Sequence, residues 1–203
     1  MDQHAGHMTG ILLAGGMSSR MGKEKGSLKL GNQFLYEYPL QVLEACCENI
    51  LISTCNPLPS ASHPLVCDEI LGLGPLGGIY TCLKYSSTEL NVILSYDMPG
   101  VNVPLIHYLL TETKGYDVVV PALIEHQPEP LCGVYRKSAL PVLEACIQQK
   151  EYAVHKALRK SRSKVLIIHQ HMDFWHPELF ININTREDLE RLSPGFGNAA
   201  NEH

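Results

Sequence analysis

The sequence predicts an α/β fold of three layers, a mostly parallel sheet covered by helices on both faces. Three observations carry this expectation. Short runs rich in β-branched or aromatic residues alternate with longer runs of helical period along almost the whole chain. In the N-terminal half each strand-like run feeds a loop and then a helix-like run, the order that a parallel sheet with crossover helices requires. The first apolar run, Thr9-Gly10-Ile11-Leu12-Leu13, opens directly into a glycine-rich, basic loop, Ala14-Gly15-Gly16-Met17-Ser18-Ser19-Arg20-Met21-Gly22-Lys23-Glu24-Lys25.

In chain order, the first strand is followed by a helix over Tyr36–Cys47, a strand over Ile50–Thr54, a helix over Leu76–Tyr85, a strand over Asn91–Tyr96 and a helix over Val103–Thr113. The second half is less regular: strands Tyr116–Val120 and Gly133–Tyr135, helices Lys137–Gln149 and Tyr152–Arg159, strands Val165–His169 and Phe180–Ile183, and a helix over Arg186–Leu192. Each strand is bounded by polar residues or by Pro and Gly, which punctuate chains. No internal repeat or low-complexity linker divides the chain, so a single domain over residues 9–192 is expected. Met1–His7 reads as a leader, with Met8 as the native start, and the Gly-, Asn- and Ala-rich stretch Ser193–His203 lacks apolar periodicity and is expected to be disordered.

With 203 residues, 45% of them hydrophobic, the chain has enough apolar surface for a full core. No run approaches the roughly 20 apolar residues that span a bilayer, and no secretory signal is present, which makes the cytoplasm the default expectation. A net charge of −5 argues against nucleic acid as a partner. Seven cysteines, without a Cys-x-x-Cys, are expected to be free buried thiols in a reducing compartment. His169 and His171 would share one face of a strand, but no third ligand follows closely, so no metal site is expected there.

The loop after the first strand suits phosphate. Gly15 and Gly16 lack a Cβ, so the backbone there can approach a ligand and turn N–H groups toward anionic oxygens, while Arg20, Lys23 and Lys25 supply charge. It is not a Walker loop: five residues, not four, separate Gly16 from Gly22, and Glu24 follows Lys23. A formal Gly-x-Gly-x-x-Gly lies at Gly72-Leu73-Gly74-Pro75-Leu76-Gly77, the fingerprint of nicotinamide-dependent oxidoreductases. Here it follows Cys67-Asp68-Glu69-Ile70-Leu71 rather than a hydrophobic first strand, and Pro75 stiffens its middle, so the context opposes that reading. A turn that merely opens a helix is the alternative.

Asp97 ends the run Asn91–Tyr96 and precedes Met98-Pro99. A carboxylate at the carboxyl end of a central strand can hold Mg²⁺ through hard oxygen ligation, with phosphates and water completing the shell. By position alone it can equally be a helix N-cap. Near the C-terminus, Asn182 and Asn184 stand two apart on an extended segment and face the same side, with amides able to donate and accept. Thr185 and Asp188 then form an approximate capping box for the last helix.

Leu-Ala-Gly-Gly-x-Ser-x-Arg-Met-Gly-x-Glu-Lys at Leu13–Lys25 closely resembles the signature of nucleotidyltransferases that make sugar nucleotides and dinucleotide cofactors, with Glu24 where Asp is usual. Gly74-Pro75-Leu76-Gly77-Gly78, Asp97-Met98-Pro99, Glu129-Pro130-Leu131 and Phe180-Ile181-Asn182-Ile183-Asn184-Thr185 extend the likeness, and the chain most resembles the molybdenum cofactor guanylyltransferases, the MobA family. Arg186 stands where that family has Pro. The resemblance implies a Rossmann-like nucleotide-diphospho-sugar transferase fold and transfer of GMP from GTP to molybdenum-bound molybdopterin. It also implies nucleotide and substrate contacts from Leu13, Ala14, Gly15, Gly16, Lys25, Asp68, Gly77, Asp97, Asn182 and Asn184. Thr54 falls where the family often has a base-contacting Asn, with Asn56 as a substitute. Arg20, Lys25 and Asp97 become the catalytic set, Asp97 the ligand of Mg²⁺, and proteins that insert molybdenum or receive the finished cofactor become transient partners. A cytidylyltransferase for the same pterin, a sugar-phosphate nucleotidyltransferase and a non-catalytic nucleotide-binding module remain the competing readings.

Overall fold

β1 (Met8–Leu13) is buried along its whole length, which is why it reads as an unbroken apolar run rather than an alternating one. It pairs in parallel with β4 (Asn49–Ser53) on one side and with β6 (Leu90–Ser95) on the other. The computed structural model describes residues 7–15, 28–125 and 127–192. Among them β5 (Leu65–Val66), β7 (Val118–Ala122), β8 (Cys132–Arg136) and β9 (Ser163–Ile167) complete a seven-stranded sheet in the order β5-β4-β1-β6-β8-β7-β9. β8 alone runs against its neighbours. The other strands therefore point their carboxyl ends to one edge, and the chain reverses its direction of winding at β1, leaving a crevice where ligands of such sheets bind.

Helices α1 (Glu37–Cys46) and α3 (Val103–Thr111) cover one face, packing Leu40, Leu43, Leu105 and Leu109 against Leu12, Ile52, Val92 and Leu94. Helices α2 (Pro75–Tyr85), α4 (Leu140–Gln148) and α5 (Val154–Lys160) cover the other, over Ile11, Leu13, Ile93 and Val120. The alternation of Ile11, Leu12 and Leu13 between the two clusters is the period-2 geometry of a strand inside a sandwich. Each such buried side chain contributes about 1.5–3 kcal/mol. Helix α6 (Arg186–Leu192) rests Leu189 and Leu192 on the α1/α3 layer.

Several elements differ from expectation for physical reasons. Met8, placed outside the domain by the sequence reading, pairs with Leu90 and is 4% exposed, so it belongs to the fold. The helix expected over Lys137–Gln149 is a 3-10 turn over Lys137–Ala139 followed by α4, because Pro141 has no N–H and is accommodated only in a helix's first turn. Phe180–Ile183 is not a strand; turns from His176 to Leu179 and from Glu178 to Ile181 carry the chain through it. A small hairpin, β2 (Lys29–Leu30) with β3 (Gln33–Phe34), and the two-residue β5 were not foreseen. The expectation of free cysteines is overturned at one pair: Cys55 and Cys67 form a disulfide, while Cys46, Cys47, Cys82, Cys132 and Cys146 are free.

At the edge of the sheet opposite the crevice, Asp117 clamps β7 to the start of β9. Arg162 donates Nε to Oδ2 at 2.9 Å and Nη2 to Oδ1 at 2.7 Å, and Ser138 Oγ donates at 2.6 Å. These hydrogen bonds, the guanidinium's first, outweigh burial and hold the Asp117 carboxyl down to about 2. A depressed carboxyl stabilises the fold above its ordinary range and loses that contribution as pH falls toward the lowered value. The Arg162 side chain is 71% exposed, so solvent screens the pair. Asp117→Asn is therefore expected to cost about 1–2 kcal/mol at pH 7. In urea unfolding, the gap from wild type should narrow as pH drops from about 4 toward 2.

Candidate active site

The crevice is walled by the carboxyl ends of β1, β4 and β6. Leu13 is 5% exposed, with its side chain in the α2 layer and its carbonyl accepting the Tyr96 N–H at 3.1 Å. Ala14 N–H donates to the Ser53 carbonyl at 3.0 Å, which extends the β1–β4 ladder one residue past the strand. The N–H of Ala14, a residue that the resemblance implies as a nucleotide contact, is thus engaged in the sheet. Gly15 is exposed, and a Cβ there would lie 3.1 Å from the Ser53 carbonyl, so the loop leaves the sheet pressed against the end of β4. Gly16, Arg20 and Lys25 lie outside the described residues.

Ser53 and Asp68 form the next wall. Ser53 Oγ donates to Asp68 Oδ1 at 3.3 Å, and Asp68 Oδ2 lies 3.2 Å from where a Gly77 Cβ would stand. The short contacts bring Asp68 and the first turn of α2 together. Burial pushes the Asp68 carboxyl up, and the Ser53 hydrogen bond partly offsets this. Gly74, the residue before α2, has φ +59°, a left-handed value that glycine adopts without a Cβ penalty. Pro75 then starts the helix where its missing N–H costs nothing.

Thr54 differs from its expected role. It is 5% exposed, its N–H donates to the Val66 carbonyl, and its hydroxyl closes a local turn, accepting the Asn56 N–H at 3.1 Å. A hydroxyl used in this way is turned toward its own backbone. Asn56 is exposed and is the residue of this pair able to meet a ligand.

Asp97 stands just past β6, and the N-cap reading falls away because α3 starts at Val103, capped by Asn102 Oδ1 accepting the Leu105 N–H at 3.0 Å. The Asp97 carbonyl accepts the Ile183 N–H at 2.9 Å. That bond brings the distant segment to the crevice: Ile183 is fully buried, while Asn182 and Asn184 on either side of it are exposed. Thr185 Oγ1 accepts the Asp188 N–H at 3.1 Å and Asp188 Oδ2 accepts the Thr185 N–H at 3.0 Å, the reciprocal capping box read from the sequence.

Glu129 opens the motif Glu129-Pro130-Leu131, and its sequence position points to no role. The antiparallel pairing of β8 on β6, continued by Ser95 N–H donating to the Leu131 carbonyl at 2.9 Å, carries Glu129 to the Asp97 end of the crevice. Burial, and then the charge of Asp97, push the Glu129 carboxyl up. Ser53 was missed altogether; its only signal was its place at a strand end. Among the described residues no group of three or more His, Cys, Asp or Glu side chains is arranged to hold a metal. One or two hard carboxylates facing a place for phosphates is nevertheless the donor set that suits Mg²⁺, which keeps water and substrate oxygens in its shell.

A doubly wound sheet with a glycine loop after β1, an acid beside the first turn of α2 and a carboxylate after β6 defines a nucleotide-binding α/β domain. Residues 10–165 match the model of the MobA-like NTP transferase domain, and the chain belongs to that family of nucleotidyltransferases. It is 33% identical over 190 residues, 92% of this chain and 96% of the other, to a Flavobacterium johnsoniae protein named "Probable molybdenum cofactor guanylyltransferase". The structure of molybdopterin-guanine dinucleotide biosynthesis protein A from Archaeoglobus fulgidus superposes with a TM-score of 0.77 at 25% identity, over 92% of this chain and 97% of that one. A 4-diphosphocytidyl-2C-methyl-D-erythritol synthase from Anaerococcus prevotii shares the fold, with a TM-score of 0.67 at 11% identity over 94% and 98% of the two chains. The resemblance read from the motifs thus holds, as does the three-layer, mostly parallel architecture. Among the described residues no helix is long and apolar enough to cross a membrane.

Proposed function

We propose that this domain transfers GMP from GTP to the terminal phosphate of molybdenum-bound molybdopterin, releasing pyrophosphate. The observation that carries the proposal is the bond from Ile183 N–H to the Asp97 carbonyl, which brings the segment holding Asn182 and Asn184 to the end of β6. In this reading the ends of β1 and β4, with Asp68 and α2, serve the donor nucleotide, and Glu129 with the segment of Asn182 and Asn184 serves the acceptor.

An oxygen of the acceptor phosphate attacks the α-phosphorus of GTP, a P–O–P linkage forms, and the bond to the β-phosphate breaks. The attacking oxygen is already anionic, so no strong general base is needed; positioning and charge neutralisation are. Asp97 is the residue that would hold Mg²⁺, with Glu129 close enough to add a second hard oxygen. Bound there, the ion would neutralise charge on the phosphates. Arg20 and Lys25 are assigned the phosphates by the resemblance, with Gly15 and Gly16 lining the loop. Asp68, Gly77 and Asn56 suit the base and ribose. A cytosol that supplies GTP and the pterin suits this reaction, with transient docking of proteins that insert molybdenum or collect the cofactor.

A thermal-shift panel of GTP, CTP, UTP and ATP with Mg²⁺ tests the reading. GTP at 100-fold its dissociation constant is expected to stabilise the fold by about 2.7 kcal/mol, and the other three by far less. Stabilisation by CTP and not by GTP would assign the domain to cytidylyl transfer instead.

A further inference from the structure

The Cys55–Cys67 disulfide joins two segments that the proposed function needs held together. Cys55 follows Thr54 at the end of β4, and Cys67 immediately precedes Asp68. Their Cα atoms are 4.4 Å apart, and both residues are exposed. The other ties of this corner are non-covalent: next to Asp68, Glu69 N–H donates to Thr81 Oγ1 at 3.2 Å and the Glu69 carboxylate accepts Lys84 Nζ at 2.7 Å, both on α2. β5 is a two-residue edge strand whose Leu65 is 43% exposed, tied to β4 by bonds such as Thr54 N–H to the Val66 carbonyl at 3.0 Å, and Asp68 is tied to Ser53 by a 3.3 Å contact. A short edge strand of this kind opens locally at low cost.

We propose that this disulfide is a reversible redox clamp on the donor-nucleotide half of the site. The inference rests on the reading of Asp68 and Asn56 as nucleotide contacts. A dithiol reductant attacks an exposed sulfur, a mixed disulfide forms, and its second thiol resolves it. The protein gains two electrons and two protons as two thiols, and the reductant leaves as a disulfide. With the bridge closed, Asn56 and Asp68 are fixed on either side of the β4–β5 end. With it open, the β4 end carrying Asn56 and the β5 edge can part, while Glu69 keeps the chain after Asp68 on α2. Among the described residues no disulfide joins the acceptor side, built on Asp97 and Ile183, to this corner.

The remaining thiols make the state of the clamp readable. Cys46 and Cys47 are partly buried, and burial pushes both up, Cys47 to about 12, while Cys82, Cys132 and Cys146 are buried. A charged alkylating agent on the folded protein therefore reports Cys55 and Cys67 first.

The full chain is prepared air-oxidised and dithiothreitol-reduced, its bridge scored by alkylation and mass spectrometry, its fold by circular dichroism, and its affinity for GTP by calorimetry. Reduction is expected to weaken GTP about 5- to 10-fold with the fold retained, raising KM for GTP and leaving kcat within about twofold, since the interaction lost is uniform binding. Reoxidation should restore it. Cys55→Ser should sit at the weak affinity and ignore dithiothreitol. Equal affinity in both states, or no bridge in the oxidised protein, overturns the clamp while leaving the proposed transfer untouched. Absence of GTP binding in either state overturns both.

Discussion

Asp97→Asn is expected to lower the rate of pyrophosphate release from GTP and acceptor by about 10³-fold or more, with the melting temperature within about 2 °C of wild type. The magnitude follows from removing one charged ligand at a centre whose task is neutralisation: about 4 kcal/mol of transition-state stabilisation corresponds to three decades in rate. The fold should survive because Asn matches Asp in size and keeps the backbone bonds at this position. The Asp97 carbonyl accepts the Ile183 N–H, a bond that Asn keeps, and the turn after β6 is held by Met98 N–H on the Ser95 carbonyl and Val101 N–H on the Met98 carbonyl. Titration with Mn²⁺ in the presence of GTP, read by electron paramagnetic resonance, separates loss of the ion from loss of the nucleotide. Weakened Mn²⁺ with retained GTP is the expected pattern. Wild-type turnover by Asp97→Asn in magnesium buffer would remove Asp97 from the reaction.

What could be read from the sequence divides along physical lines. β1 and β6 were legible because a strand buried on both faces is a continuous apolar run, and the loop after β1 announced itself by its glycines and cations. Asp97 was legible by its place at the end of such a run. β5 was not: two residues at a sheet edge, one of them an exposed leucine, leave no pattern. The disulfide could not be read either, since Cys55 and Cys67 meet only through the register that sets Ile52 opposite Leu65 and Ser53 opposite Val66. Phe180–Ile183 misled for a related reason. Its buried Phe180 and Ile183 mimic a strand, but its backbone is held by turns and by Asp97, and apolar spacing cannot distinguish these. At Thr54 and Ala14 the sequence could not show that nearby backbone groups engage the hydroxyl and the amide.

Gly100→Ala is expected to separate the acceptor half of the site from the rest. A Cβ at Gly100 would stand 1.9 Å from the Glu178 carbonyl oxygen and 2.7 Å from its carbon. Those are backbone atoms, so no rotamer relieves the clash and the segment carrying Glu178 must move. The same segment is tied down just before the contact: the His176 ring lies with Nε2 2.9 Å from the Gly100 carbonyl, and Asn102 Nδ2 donates to the Phe174 carbonyl at 2.8 Å. Displacing it costs about 3 kcal/mol by the overpacking scale, or about 6–12 °C in melting temperature for a domain of this size. Five residues beyond Glu178 the chain reaches Ile183 and its bond to Asp97, so the shift should pass to Asn182 and Asn184. Gly15, Ser53 and Asp68 lie on the other side of the crevice. At a temperature where the variant is folded, KM for the acceptor should therefore rise several-fold more than KM for GTP. Gly115→Ala is the control: φ there is +86°, yet no atom lies within 4 Å of the added Cβ. It should lose about 1 kcal/mol to backbone strain with both KM values unchanged, and an equal rise in the two KM values for Gly100→Ala would mean that the 174–184 segment does not serve the acceptor.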